Sequence, residues 1–259
     1  MNVRCAVISG TGKKRKDNQD NFFFDGCFIQ NVYHTDTIAH EIQISDSELH
    51  VFAVADGMGG EAYGDLASYI VVKNMKTIEA RTHDCLSNFV RTANREICDE
   101  IIAHGGSRMG STLALVAIEN GDATLLNIGD SRIYLYRSSK LLQISVDHTT
   151  VGQMVKMGIL TEEQGKKHPR RHELTQHLGI FEDEMIIEPY ITTGSFIAGD
   201  VVLLCSDGLT DMLENQEMES IINENISLEE KTKKMFNAAM NAGGKDNITA
   251  MLIEFFEKE

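Results

Sequence analysis

Short apolar runs, each broken by a turn-forming pair or a polar stretch, recur along this chain. Val3–Ser9, Val51–Ala55, Thr112–Ile118, Ala123–Ile128, Arg132–Tyr136, Leu141–Ile144, Ile186–Ile191, Val201–Cys205 and Ile248–Phe255 read as strands. Asn120-Gly121 between two of them predicts a tight hairpin, and Ser138-Ser139 another turn. Helical spacing comes in two consecutive pairs: Gly64 to about Arg81 with Leu86 to about His104, and Met212–Asn225 with Leu228–Asn241. Ser227 reads as an N-cap, with Glu230 three residues on to close a capping box. Val151–Met157 predicts a shorter helix. Hairpin-linked strands with helices arriving in pairs do not spell the β-α-β alternation of a parallel sheet. They predict antiparallel sheets covered by helix pairs, an α+β layered domain. With no repeat, no low-complexity stretch and only two prolines, residues 1–259 read as one domain.

Several strands end on an aspartate. Val51–Ala55 runs into Asp56-Gly57, Val201–Cys205 runs through Ser206 into Asp207-Gly208, and the strand ending at Ile128 runs through Gly129 into Asp130. In reverse order, Gly243-Gly244-Lys245-Asp246-Asn247 opens the last strand, and Arg15 to Asp20 precedes Phe22-Phe23-Phe24. Asp-Gly is ordinary turn chemistry, and for any single site that is the better reading. Four or five together weaken it, because ordinary turns also draw on Asn, Ser and Pro.

If these strand ends converge, the carboxylates share a partly dehydrated pocket. Like charges there cannot all stay ionised without a compensating cation. Arg15 and Arg132 are the main arginines nearby, so a divalent metal is the simpler solution. An all-oxygen set selects Mg²⁺ or Mn²⁺ over zinc. Two such ions bridged by one carboxylate suit phosphoryl hydrolysis. Gly57, Gly59 and Gly60 beside Asp56 let the backbone turn sharply and a carbonyl approach a metal.

Composition narrows the function classes. Apolar content of 42% and charged content of 24% are those of an ordinary globular protein. A formal charge of −15 repels nucleic acid and anionic lipid, so neither is an expected partner. The longest apolar run, Leu113–Ile118, is far short of the ~20 residues of a membrane span. Met1–Gly12 lacks the apolar core of a secretory leader. Cys5, Cys27, Cys85, Cys98 and Cys205 are odd in number and widely spaced. Free thiols, most of them small core residues, and a cytoplasmic location are expected.

Gly57-Met58-Gly59-Gly60-Glu61-Ala62 formally matches the dinucleotide pattern G-x-G-x-x-A. Two features exclude an oxidoreductase reading. Asp56 would set a carboxylate against the cofactor's pyrophosphate, and the helix that follows leads to another helix rather than to a second strand.

At this point the motifs themselves match a known family. Arg15-Lys16-Asp17-Asn18-Gln19-Asp20, Val54-Ala55-Asp56-Gly57-Met58-Gly59-Gly60, Met109-Gly110-Ser111-Thr112, Asn127-Ile128-Gly129-Asp130-Ser131-Arg132, Asp147-His148-Thr149, Leu174 to Gly179, Cys205 to Asp211 and Gly244 to Thr249 fall in the family's order. The chain resembles the metal-dependent protein phosphatases of the PPM, or protein phosphatase 2C-like, group, nearly end to end. The resemblance implies two stacked antiparallel β-sheets flanked by pairs of α-helices, a four-layer α/β/β/α sandwich. It implies hydrolysis of phosphoserine and phosphothreonine on proteins by metal-activated water, with no phosphoenzyme.

Roles follow from the same resemblance. Asp56 would bridge two Mn²⁺ or Mg²⁺ ions, and the Gly57 carbonyl would bind one of them. Asp207 and Asp246 would complete the second ion's shell, with Asp20 binding through water or nearby. Asp130, with Asp207 and Asp211, would form a weaker third site, as in bacterial relatives. Arg15 would hold the substrate phosphate in a fork of donors; by itself it reads as a solvated member of the run Lys13-Lys14-Arg15-Lys16. Expected partners are phosphoproteins, among them a serine/threonine kinase or its targets, and the chain is expected to act as a monomer.

Met58 departs from animal members, which carry a histidine there as general acid, and resembles the bacterial branch. Methionine cannot donate a proton, so the leaving alkoxide must be protonated otherwise, for instance by metal-bound water. Gln19 replaces the acid of many relatives. Residues 148–185 map to the family's mobile flap. Its basic cluster of Lys166, Lys167, His168, Arg170, Arg171 and His172 reads as a solvated face, with steering of phosphoproteins as the alternative. His148 and His177 read as structural. A catalytically silent phosphoprotein-binding module would need a lost aspartate, and none is missing. A small phosphate monoester stands as the alternative substrate.

Overall fold

The computed structural model describes residues 1–30, 38–45, 48–59 and 63–257; Gly60, Glu61 and Ala62 of the glycine-rich run lie outside them. Strands β1 (Asn2–Gly10), β2 (Asp20–Phe24), β3 (Ile38–Ser45) and β4 (His50–Met58) come first, then helices α1 (Gly64–Asn74) and α2 (His83–Ala103). A meander follows: β5 (Gly110–Ser111), β6 (Leu113–Glu119), β7 (Asp122–Ile128), β8 (Arg132–Arg137) and β9 (Lys140–Gln143). Short helices α3 (Thr150–Lys156) and α4 (Glu162–Lys166) lead to β10 (Tyr190–Ser195) and β11 (Val201–Cys205). The chain closes with α5 (Asp207–Thr210), α6 (Asn215–Ile222), α7 (Leu228–Asn241) and β12 (Ile248–Phe256).

The strands form two sheets, and every pairing is antiparallel. One runs β3-β1-β12-β11-β8-β9; the other runs β10-β7-β6-β4-β2, with β5 added beside β4. The apolar runs are near-continuous because both faces are covered. On β12, Met251, Ile253 and Phe255 face the opposite sheet beside Phe52 and Val54 of β4. The alternate residues Ile248, Ala250 and Leu252 join Met235 and Phe236 of α7 on the outer face. On β4, Val51, Ala53 and Ala55 pack with Ala67 and Val71 of α1 and Phe89 and Val90 of α2. Helix pair, sheet, sheet, helix pair is the expected α+β sandwich.

Local signals held where the chemistry was local. Asn120 and Gly121 turn the β6–β7 hairpin with φ of 54° and 81°, and Ser138 and Ser139 turn β8–β9 with φ of 53° and 61°. Both central residues sit in the left-handed region, whose twist matches the flanking strands. Helix α7 begins at the predicted Ser227–Glu230 capping box. Ser227→Ala is expected to destabilise by about 1 kcal/mol, a fall in Tm of roughly 2–4 °C for a chain of this size, read by thermal melting.

Other expectations shift. The strand predicted over Ile186–Ile191 starts at Tyr190, where pairing with Asn127 of β7 begins. Ile186 is instead exposed. This is an edge strand of mostly polar and small residues, Thr192-Thr193-Gly194-Ser195, so apolar content points to the wrong residues. The first helix ends at Asn74, whose Nδ2 donates to the Ile70 carbonyl, and not near Arg81. The helix predicted over Met212–Asn225 is confined to Asn215–Ile222. Strands β2 and β3 and helices α4 and α5 carry no such expectation. The cysteines are free, with Cys5, Cys98 and Cys205 buried. Among the described residues, no helix is long and apolar enough to cross a membrane.

Candidate metal centre

Four aspartates from the two sheets gather at one end of the sandwich. Asp20 opens β2 directly opposite Asp56 of β4 in the antiparallel register. Asp207 opens α5 immediately after β11, and Asp246 precedes β12, the strand paired with β11. Gly208 makes that approach possible: a Cβ there would stand 1.8 Å from the Asn247 carbonyl oxygen. Gly57 is equally constrained, since its Cβ would stand 1.9 Å from the Gly64 carbonyl oxygen.

Hydroxyls tie the two sheets together through Asp20. Ser206 and Thr249, both from the β11–β12 side, each donate to Asp20 Oδ2 at 2.7 Å. The other oxygen, Oδ1, is buried and has no hydrogen-bond partner among the described residues. Asp56 is held by its backbone: its N–H donates to Thr112 Oγ1 at 3.0 Å, and its carbonyl accepts from the Thr112 N–H at 2.9 Å.

Asn247 fastens the loop that carries Arg15. Its Oδ1 accepts from the Gln19 N–H, and its Nδ2 donates to the carbonyls of Thr11 and Asp17. The loop thereby presents Arg15, whose Nη2 donates to Asp246 Oδ2 at 2.6 Å. Half of the Arg15 side chain remains exposed, at 51%.

Asp130, at the end of β7, extends the acidic group toward residues 148–185. One oxygen each of Asp130 and Asp207 and one ring nitrogen of His172 lie within 4.8 Å of one another. His172 Nδ1 stands 3.5 Å from Asp207 Oδ2, and Nε2 stands 3.3 Å from Asp211 Oδ2.

Crowded carboxylates resist ionisation. Burial, with Asp207 and Asp246 adding and the two hydroxyls opposing, pushes Asp20 up to about 7. Burial, then Asp20 and Asp207, raises Asp56 well above the carboxylate range. Burial, then Asp207 and Asp147, pushes Asp130 up to about 8, against the pull of Arg132. Burial also raises Asp211. Contact with Asp207 pulls His172 upward, Asp211 adding to the effect. Asp246 interacts with Asp20, Asp56 and Arg15, so the group behaves as one electrostatic unit.

The structure thus brings together Arg15, Asp20, Asp56, Gly57, Asp207 and Asp246, with Asp130 and Asp211 on the flank. His172 is exposed, as the solvated basic face was expected to be, but it also stands beside Asp207 and Asp211, which the sequence did not signal. Three other members of the cluster make ion pairs at the surface: Lys166 reaches Glu214, Arg170 reaches Glu173 and Arg171 reaches Asp211. Ser206, Asn247 and Thr249 lay inside the quoted motifs without a role; polar residues interrupting otherwise apolar strand ends were the available signal. His148 and His177 turn to backbone, His148 Nδ1 accepting from the Gly129 N–H and His177 Nδ1 donating to the Leu178 carbonyl. Burial lowers the pKa of both.

The family model for protein phosphatase 2C matches residues 30–256, a span that leaves out Arg15 and Asp20. The chain is 31% identical over 265 aligned positions to protein phosphatase PhpP of Streptococcus pneumoniae, with 99% of each chain covered. The Mycobacterium tuberculosis serine/threonine phosphatase PstP/Ppp superposes with a TM-score of 0.82 at 27% identity, over 99% of this chain and 100% of that one. The catalytic domain of serine/threonine protein phosphatase PstP, solved in complex with two manganese ions, gives 0.79 at 26% identity, over 99% and 100%. Sandwich, converging aspartates and motif order agree with these likenesses, and the chain belongs to the protein phosphatase 2C family.

Proposed function

We propose that this chain is a serine/threonine protein phosphatase that uses two Mn²⁺ or Mg²⁺ ions to hydrolyse phosphoserine and phosphothreonine on proteins. One observation carries the reading: Asp20, Asp56, Asp207 and Asp246 converge from separate strand ends with Arg15 as the cation in contact. Asp20 Oδ1, buried without a partner among the described residues, gives the fit to a metal its clearest support. An unpaired buried carboxylate oxygen is costly unless a cation or its water reaches it. Raised carboxyl pKa values point the same way, because a divalent ion would relieve the repulsion that causes them.

Asp56, the Gly57 carbonyl, Asp207 and Asp246 would hold the two ions, with Asp20 reaching one directly or through water. Bound there, the ions supply Lewis acidity toward phosphate and make water a nucleophile at neutral pH. The protein's own groups set the rest. Arg15 would exchange Asp246 for the substrate phosphate, whose oxygens match its planar fork. Cys205 is not a nucleophile, its thiol pushed up to about 12 by burial, and the Ser206 hydroxyl is committed to Asp20. Attack by water without a phosphoenzyme is what the family resemblance implies, and the state of Cys205 and Ser206 is compatible with it. Met58 is half-buried beside the site and brings no proton to the leaving group.

The same reading makes residues 1–259 one phosphatase domain with residues 148–185 as its flap. It works as a cytoplasmic monomer on phosphoproteins that include a serine/threonine kinase or its targets. Hydrolysis of a phosphothreonine peptide and of p-nitrophenyl phosphate, with Mn²⁺ and after EDTA, tests the proposal. Turnover lost to EDTA and restored by Mn²⁺ is expected; no metal-dependent turnover of either compound would refute it. Arg15→Ala should lower kcat/KM for the phosphopeptide roughly 10- to 100-fold, the equivalent of one charged hydrogen bond. Mn²⁺ affinity, measured by calorimetry, should not fall, because Arg15 competes for Asp246.

A further inference from the structure

We propose that His172 is the nitrogen ligand of a mixed cation site, completed by Asp130 and Asp207, through which a transition-metal ion clamps residues 148–185 onto the ends of both sheets. This rests on the metal-dependent reading above and deepens it. The family resemblance led us to expect Asp130, Asp207 and Asp211 as a third set. The geometry puts His172 in the place of Asp211.

Three observations carry the inference. The ligand atoms of Asp130, His172 and Asp207 lie within 4.8 Å of one another. Donors around one ion are separated by at most about twice the bond length, ~4–5 Å, so little movement is needed to enclose it. Asp211 stands 3.3 Å from Nε2, leaving Nδ1 toward Asp207. A carboxylate on the remote ring nitrogen is the arrangement that fixes tautomer and orientation in metal-binding histidines. Finally, the three residues come from different places: Asp130 follows β7 of one sheet, Asp207 follows β11 of the other, and His172 lies beyond α4. An ion held by all three joins that segment to the sandwich. Arg171 to Asp211 and Lys166 to Glu214 already hold the segment against the α5–α6 corner.

The ligand type makes the site selective. Imidazole suits Fe²⁺ and Zn²⁺ best, Mn²⁺ stands lowest among the divalent transition metals at such a mixed site, and Mg²⁺ keeps to oxygen and water. The main carboxylate group would take either Mg²⁺ or Mn²⁺; this flanking one would discriminate.

Pulsed electron paramagnetic resonance on the untagged full chain, stripped of metal and titrated with Mn²⁺, tests the assignment. The main group offers only oxygen ligands, so ¹⁴N coupling to Mn²⁺ reports a histidine. Coupling is expected to appear in the wild type as Mn²⁺ exceeds two equivalents and to be absent from His172→Gln. His172 is 42% exposed, so that variant is expected to fold. Asp130→Asn should weaken the coupled ion by at least ~10-fold. Trypsin cleavage at Lys166, Lys167, Arg170 and Arg171 should slow with Mn²⁺ in the wild type and not in His172→Gln. Mn²⁺ bound without ¹⁴N coupling, or coupling that survives in His172→Gln, would overturn the inference while leaving the two-ion function intact. Failure of either protein to bind Mn²⁺ would refute both.

Discussion

Asp56→Asn should abolish metal-dependent hydrolysis and make the ion-free protein harder to unfold. Asparagine keeps the shape of Asp56 and its place opposite Asp20, but cannot bridge two cations. Loss of an outer-shell partner already lowers metal affinity or activity 10- to 100-fold, so loss of a carboxylate proposed to hold both ions should lower kcat/KM by more than ~100-fold. Stability should move the other way. Burial and the neighbouring carboxylates hold the Asp56 pKa well above its ordinary value, so its ionised form opposes folding at neutral pH when no cation is present. Removing that charge should raise Tm under EDTA, and the gain should vanish in Mn²⁺. Kinetics and paired thermal melts check both halves. An active Asp56→Asn, or one less stable than the wild type under EDTA, would contradict the assignment.

The ion-free protein is also expected to lose stability as pH rises, and Mn²⁺ is expected to reverse the trend. Burial and the neighbouring carboxylates push Asp20 up to about 7 and Asp130 up to about 8 in the folded protein, against 3.8 for an ordinary aspartate, and shift Asp56 in the same direction. Between those values the folded state binds more protons than the unfolded one. Stability therefore falls with increasing pH. The contribution is complete below 3.8 and disappears as pH climbs through about 7 and then about 8.

A bound cation favours the ionised carboxylates, so it should stabilise most at the alkaline end. At a hundredfold excess over Kd, each site adds about 2.7 kcal/mol. Two sites should raise Tm by on the order of 10 °C in a chain of this size. Melting curves between about pH 5 and pH 8, with EDTA and with Mn²⁺, read this directly, with Asp20→Asn as the control that flattens the EDTA series. A wild-type Tm under EDTA that stayed level or rose across that range would show that these carboxyls are not crowded in solution.

What the sequence determined by itself was set by neighbours along the chain. Asn120-Gly121 bends because two adjacent residues accept positive φ, and Ser227 with Glu230 starts a helix because four residues suffice for a capping box. Covered strand faces made the apolar runs long enough to read, and several of them pointed to an aspartate at one end. Only the tertiary structure decided which ends meet. Ser206 and Asp20 are 186 residues apart, and Arg15 and Asp246 are 231 apart. Nothing in the period of a strand names its partner across the sandwich. His172 shows the difference most sharply: in sequence it is one basic residue among several, and in space it stands between Asp207 and Asp211. Burial and Coulomb forces act through distance in space rather than along the chain. For that reason the sequence could name the carboxylates, whereas their raised pKa values and the histidine among them came from the fold.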